Sequence, residues 1–389
     1  MAQHAQPGHP LETIKELIVA FVLAMTFRGF VTEGFVIPTG SMAPTLMGQH
    51  FRFQSERTGY EFPVGLDPRM PVGDRSALAA RVVDPMLGRL YRGMDLDLGP
   101  QRPRMGDRIL VLKSLYPFSE PDRFDIVVFK NPTDPLGDAQ NYIKRLVGLP
   151  GEAIWIVDGD VFAADADRAD EQSAFRIQRK PEHIQRAVWQ PLHHLDYVPL
   201  EPQRWDQPYF GLPWAGSNGW KVNADDWDDD EGPRRHFRCE TAEPSRLDWV
   251  NQVIQLDDWA PYNMLGVVNP GTFYVNDVRV MGAVTPDEPG LSTTLEITTR
   301  QHQYQFIIRN GELRMRMRPS VWADAEADAD AEWEASEMGW EGPDAVSVPN
   351  FEPGAPVMLE FWHVDQSMAV FINGEQIGDY TLAGNGFWL

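Results

Sequence analysis

The sequence predicts a mainly β protein: an apolar N-terminal helix, an antiparallel β domain and a further β-sandwich. Three observations carry that reading. Residues 106–163 hold four runs of β-branched and aromatic residues separated by turn residues. Asp158-Gly159, Asn310-Gly311 and Asn373-Gly374 each stand between alternating apolar runs and signal tight hairpins. One uncharged apolar run, Leu17–Phe27, lies near the start. At 389 residues and 43% hydrophobic, the chain can fill more than one core. A single cysteine, Cys239, excludes an internal disulfide framework. A net charge of −23 excludes a broad nucleic-acid-binding surface, so no nucleic acid is expected as a partner.

The first element spans residues 1–31. Its uncharged run is 11 residues long, against roughly 17–25 for a spanning helix. Three readings stand for it. An uncleaved anchor would place Lys15, Glu16 and Arg28 at the ends of the span. A soluble core helix should carry a polar stripe, which is missing. A cleaved secretory signal should carry a basic start and a small-x-small cleavage site, and neither is evident.

After it, Phe35, Val36 and Ile37 form a strand that breaks at Pro38-Thr39-Gly40. Residues 48–105 read as an Arg-, Gly- and Pro-rich insertion with a short helix around Arg75–Leu90, inside a β domain of 32–163. Residues 164–265 are Trp-, Pro- and Asp-rich and irregular, and the acidic run Asp225–Glu231 reads as a solvated loop. Residues 266–389 resume evenly spaced strands and read as an antiparallel sandwich. Glu360–His363 and the hairpin after it loosely resemble the laminin-G/lectin pattern, which implies a ligand-binding module, a spacer or a docking domain. Asp324–Glu337, an alternating alanine and acid tract, reads as an exposed loop. His193 and His194 face opposite ways on a strand, and Cys239 with His236 lacks a further partner at ligand spacing. No metal or cofactor is expected.

Two features carry chemistry. Ser41 follows a strand on a glycine-containing turn, where a hydroxyl is exposed and a backbone N–H can face an incoming carbonyl. In Tyr142-Ile143-Lys144-Arg145-Leu146, strand alternation puts Tyr142, Lys144 and Leu146 on one face. Taken singly, a turn serine and an edge lysine are ordinary. Together they make a nucleophile and a base, because a neutral amine can activate a hydroxyl without a His-Asp pair. Lysine ordinarily titrates near 10.4 and must fall to about 7–8 for that task. Burial among apolar groups would supply the shift, so a dry Lys144 is expected. No Gly-x-Ser-x-Gly elbow surrounds Ser41.

FVIPTGSMAPTL, GDRILV, RFDIVVFK and NYIKRLVGLPGE follow the apolar segment in that order. This series closely resembles the type I (leader) signal peptidases, membrane-anchored Ser-Lys proteases. The resemblance covers roughly residues 11–47 and 105–163. It implies an endopeptidase that cuts signal peptides from exported pre-proteins, with Ser41 as nucleophile and Lys144 as general base. It further implies an oxyanion hole of the Ser41 N–H and the Thr39 hydroxyl. Ile37, Pro38, Met42, Leu46, Tyr142 and Ile143 match positions that line the substrate pockets. A single-pass anchor in membrane lipid, with the catalytic domain on the outer face of the cell membrane, is implied as well.

Two departures stand out. Phe124 replaces the family's usual glycine. The family's closing acidic motif, Gly-Asp-Asn-x-x-x-Ser-x-Asp-Ser-Arg, has no match. The chain therefore reads as a fragment that ends before that motif, with the sandwich as an insertion. The alternative is a catalytically inactive, membrane-tethered binding protein whose working part is the sandwich. A self-cleaving repressor-type peptidase is disfavoured by the apolar start. A second, specialised protease of the family remains open.

Overall fold

The computed structural model describes residues 10–66, 84–88, 102–133, 141–199, 275–299, 302–320, 339–381 and most of 201–257. The Asp324–Glu337 tract lies outside these residues, as do most of the Arg75–Leu90 helix and of Asp225–Glu231. The chain forms two compact units: Met1–Leu146 with Gln190–Gly271, and Val147–Trp189 with Thr272–Leu389.

The first unit opens on helix α1 (Pro10–Phe30), with Glu12 in its first turn and Arg28 in its last, as the helix dipole favours. Its apolar side chains, among them Leu17, Phe21, Leu23 and Phe27, are exposed. Among the described residues no helix is long and apolar enough to cross a membrane. That corrects the expected single-pass span. At 1.5 Å per residue the uncharged run rises only about 16 Å, roughly half of a hydrocarbon core. Lys15 and Glu16, with Glu12 or Arg28, fall inside any 18-residue window of the helix.

Three antiparallel pairs follow. Strand β1 (Thr32–Val36) pairs with β4 (Arg108–Leu112), enclosing in sequence the hairpin of β2 (His50–Gln54) and β3 (Glu61–Gly65). Buried Phe53, Phe62 and Val64 give the β2–β3 hairpin a small core. Strand β5 (Ile126–Lys130) pairs with β6 (Asn141–Arg145).

The second unit begins with β7 (Glu152–Val157), β8 (Asp160–Asp165) and β9 (Arg176–Ile177) in one sheet, followed by α2 (Glu182–Val188). The chain then returns to the first unit for three ribbons. These pair β10 (Trp214–Gly216) with β15 (Leu247–Trp249), β11 (Trp220–Asn223) with β14 (His236–Cys239), and β12 (Trp227–Asp228) with β13 (Gly232–Pro233).

The remaining strands make the sandwich. One sheet is ordered β16 (Val278–Val284), β21 (Val357–Val364), β22 (Ser367–Ile372), β23 (Glu375–Thr381). The other is ordered β17 (Thr293–Thr298), β18 (His302–Arg309), β19 (Glu312–Pro319), β20 (Val346–Ser347). Period-two alternation explains the core: Tyr304, Phe306 and Ile308 of β18 and Leu313, Met315 and Met317 of β19 point inward. They meet Leu359, Phe361, Met368, Val370 and Ile372 of the opposite sheet.

All three hairpins expected from the sequence form, each with both central residues at positive φ: Asp158 (50°) and Gly159 (94°), Asn310 (53°) and Gly311 (74°), Asn373 (51°) and Gly374 (84°). A fourth carries no glycine. Asp365 (φ 45°) and Gln366 (φ 55°) connect β21 to β22. Polar contacts hold this turn instead. The Asp365 N–H donates to Asp277 Oδ1 at 3.0 Å, and its carboxylate accepts from the Lys180 N–H at 2.7 Å and from the Lys180 ammonium. The ammonium also pairs with Asp277 at 3.1 Å, and Gln366 Nε2 donates to Asp160 at 3.0 Å.

This cluster makes the stability of the second unit pH-dependent. Burial, with Asp277 and Asp365 nearby, pushes the Asp160 carboxyl up to about 7, against an opposing pull from Gln366 and Lys180. Burial and Asp277 likewise raise Asp365. The folded chain therefore holds a proton that the unfolded chain has released, so this stabilisation is lost as pH rises from about 4 through 7. Thermal melts should show the unit losing about 2 kcal/mol between pH 5 and pH 8 from this group. Asp160→Asn should flatten that slope, and a variant whose slope matches the parent's would refute the assignment.

Candidate active site

The Ser41 loop, residues 37–47, is held at both ends by one residue. The Ile37 N–H donates to the Asp107 carbonyl at 2.9 Å, and the Asp107 N–H donates to the Met47 carbonyl at 2.8 Å. The Asp107 carboxylate accepts from the Met47 N–H at 2.7 Å. Two glycines let the backbones close in. A Cβ on Gly106 would lie 1.8 Å from the Ile37 carbonyl oxygen, and one on Gly48 would lie 2.2 Å from the Thr39 carbonyl carbon. Neither position has room for a side chain.

Inside the loop, the Ala43 N–H donates to the Gly40 carbonyl at 3.0 Å and the Leu46 N–H to the Met42 carbonyl at 2.9 Å. These bonds turn the chain around Ser41, which stays exposed while Met42 is buried. Ile37 is also buried, Thr39 and Leu46 are half-buried, and Pro38 is exposed.

Lys144 lies on β6, opposite Val127 of β5. Tyr142 and Lys144 share the open face, while Ile143 and Arg145 are half-buried on the other. The Lys144 Nζ donates to Ser41 Oγ at 2.8 Å and to the Ile143 carbonyl at 2.9 Å. The two groups are 103 residues apart in sequence. Tyr142 stands beside them, its ring centroid 5.7 Å from the ammonium and packed edge-on against Phe129.

The two side chains are thus in contact, but the expected dryness of the amine is not found. Lys144 is exposed: among the described residues β5 and β6 form a two-stranded ribbon with no third strand beside it. Sequence reasoning also missed the parts that frame the site: Gly48, Gly106, Asp107 and Arg145. No local signal marks them, because Gly106-Asp107 reads in the sequence as an ordinary turn pair.

Comparison with known proteins agrees with these motifs. The family described as signal peptidase, peptidase S26, matches residues 101–199. The signal peptidase I of Rickettsia rickettsii is 30% identical over 148 residues, covering 38% of this chain and 41% of that protein. That of Rickettsia typhi is 27% identical over 158 residues, covering 40% and 45%. The chain therefore spans less than half the length of these relatives. Among solved structures, sheep galectin-11 in complex with glycerol matches at 14% identity and a TM-score of 0.16, over 28% of this chain and 82% of that one. So weak a likeness carries no argument about the sandwich. Over residues 101–199, which hold Lys144 but not Ser41, the chain is similar to the type I signal peptidases that its motifs resemble.

Proposed function

We propose that this chain is a serine endopeptidase that cleaves signal peptides from exported pre-proteins, with Ser41 as nucleophile and Lys144 as general base. The observation that carries the reading is the 2.8 Å contact between Lys144 Nζ and Ser41 Oγ, on a turn that leaves the hydroxyl open to a substrate. In the first step Ser41 Oγ attacks the scissile carbonyl carbon while its proton passes to Nζ. The Ser41 N–H and the Thr39 hydroxyl donate to the resulting oxyanion. Collapse breaks the C–N bond, and Nζ returns the proton to the departing amine of the mature protein. A water then gives a proton to Nζ and attacks the ester carbonyl; the C–Oγ bond breaks, Nζ returns the proton to Ser41 Oγ, and the signal peptide leaves as the acid.

The amine is wet in the free chain, so a substrate laid along Pro38, Tyr142 and Ile143 supplies the desolvation that the protein alone does not. Ile37, Met42 and Leu46 back the loop that receives it. The exposed apolar side chains of α1 seat the chain against membrane lipid, with the catalytic part on the outer face of the cell membrane. The test is incubation of the full chain with a purified pre-protein, followed by N-terminal sequencing of the product. A cut at the end of the signal peptide is expected. An intact pre-protein would overturn the proposal and leave a tethered binding role.

A further inference from the structure

We propose that Arg145 is a positioning residue that braces the nucleophile loop against the lysine strand; this rests on the reading of Ser41 and Lys144 given above. The two reacting groups stand on different scaffolds. The serine loop is pinned by backbone bonds to Asp107, beside the β1–β4 pair, whereas Lys144 belongs to the separate β5–β6 pair. A hydrogen bond between groups on two scaffolds survives only if something fixes the distance between them.

Arg145 makes that connection with one guanidinium. Its Nη2 donates to Thr45 Oγ1, four residues after the nucleophile, at 3.1 Å. Its Nη1 donates to the Phe124 carbonyl at 2.8 Å. The second acceptor is itself held to the lysine ribbon: the Phe124 N–H donates to the Leu146 carbonyl at 2.6 Å, and the Leu146 N–H donates to the Asp125 carbonyl at 2.8 Å. Phe124 is buried and sits at φ 72°, so the direction of its carbonyl is set by an unusual backbone geometry. One nitrogen of the fork therefore holds the loop and the other holds the ribbon.

Strand alternation assigns the neighbours different tasks. Lys144 faces outward toward Ser41, and Arg145 faces inward, half-buried, where burial lowers its pKa from the ordinary value. A planar fork with two separate donors can span a hydroxyl and a carbonyl at once. A lysine, with one nitrogen on a flexible stem, cannot hold both in the same geometry.

The test uses the full chain and a pre-protein substrate, with Arg145→Gln, Arg145→Lys, Thr45→Val, Thr45→Ser and the Arg145→Gln/Thr45→Val double variant. A displacement near 1 Å at the reacting atoms costs about 100-fold. Arg145→Gln and Thr45→Val should each lower kcat by roughly 10- to 100-fold with KM changed less than about twofold. Arg145→Lys should not restore kcat, and Thr45→Ser should. The double variant should be no worse than the poorer single one, because both remove the same brace. The shape of the pH–rate profile should stay that of the parent. Arg145→Gln with parental kcat, or losses that multiply in the double variant, would overturn the proposal. So would a loss of Arg145 activity matched by a fall in melting temperature while Thr45→Val stays active. If Ser41→Ala still cleaves in the same assay, the peptidase reading fails instead.

Discussion

Ser41→Ala and Lys144→Met should each lower pre-protein cleavage by at least about 1,000-fold, while leaving the fold intact. On the proposed mechanism the first removes the attacking oxygen and the second the proton acceptor 2.8 Å from it. Members of such a unit fail together, so the double variant should be no slower than either single one. Both side chains are exposed, and exposed substitutions without a packing role change stability by about 0.5 kcal/mol at most. Melting temperature and rate should therefore separate cleanly. Equal activity in parent and variants, with cleavage at the same bond, would show that a different nucleophile is at work.

Gly106→Ala should be the most damaging single-methyl change near the site. Its Cβ would lie 1.8 Å from the Ile37 carbonyl oxygen and 3.1 Å from the Met47 carbonyl oxygen, so it collides with both ends of the nucleophile loop. These are backbone atoms tied to Asp107, and no side chain can swing away to make room. Overpacking of this kind costs about 3 kcal/mol, and cleavage should fall at least about tenfold as Ser41 moves away from Lys144. Gly34→Ala supplies the control. Its added Cβ meets the Leu110 side chain at 3.8 Å, an ordinary contact, and should leave stability within about 0.5 kcal/mol. If the two variants melt and cleave alike, the close approach at Gly106 is not what shapes the loop.

The parts of this protein legible in the sequence are those written in local chemistry. Asp158-Gly159, Asn310-Gly311 and Asn373-Gly374 each announce a turn that needs two positive φ values. The alternation in β18 and β19 announces which side chains enter the sandwich core. Ser41 and Lys144 were legible because their residue types, order and flanking motifs imply a chemistry. What stayed hidden depends on partners far away in the chain. The Asp365-Gln366 turn has no glycine and relies on Lys180, 185 residues earlier. Gly106 reads as one turn residue among many until Ile37 is laid against it. Arg145 looked like a strand neighbour of the lysine, and its brace becomes visible only when Thr45, 100 residues before it, arrives at its guanidinium.

Two sequence expectations were not met. The α1 span followed from the family resemblance, although Lys15, Glu16 and Arg28 leave only 11 uncharged residues between them. Lys144 was expected to be dry because apolar residues flank it in sequence. In a two-stranded ribbon those neighbours line the strand without covering it, and burial needs a second layer. Apolar neighbours along a chain do not by themselves exclude water.

The central claim is that one hydroxyl among many is made reactive by one amine. Covalent labelling with an acylating serine reagent, read by tandem mass spectrometry of the digested chain, tests it directly. The label is expected on Ser41 in the parent and is expected to fall at least about 100-fold in Lys144→Met. Label on another serine, or label on Ser41 at the same rate without the lysine, would contradict the account.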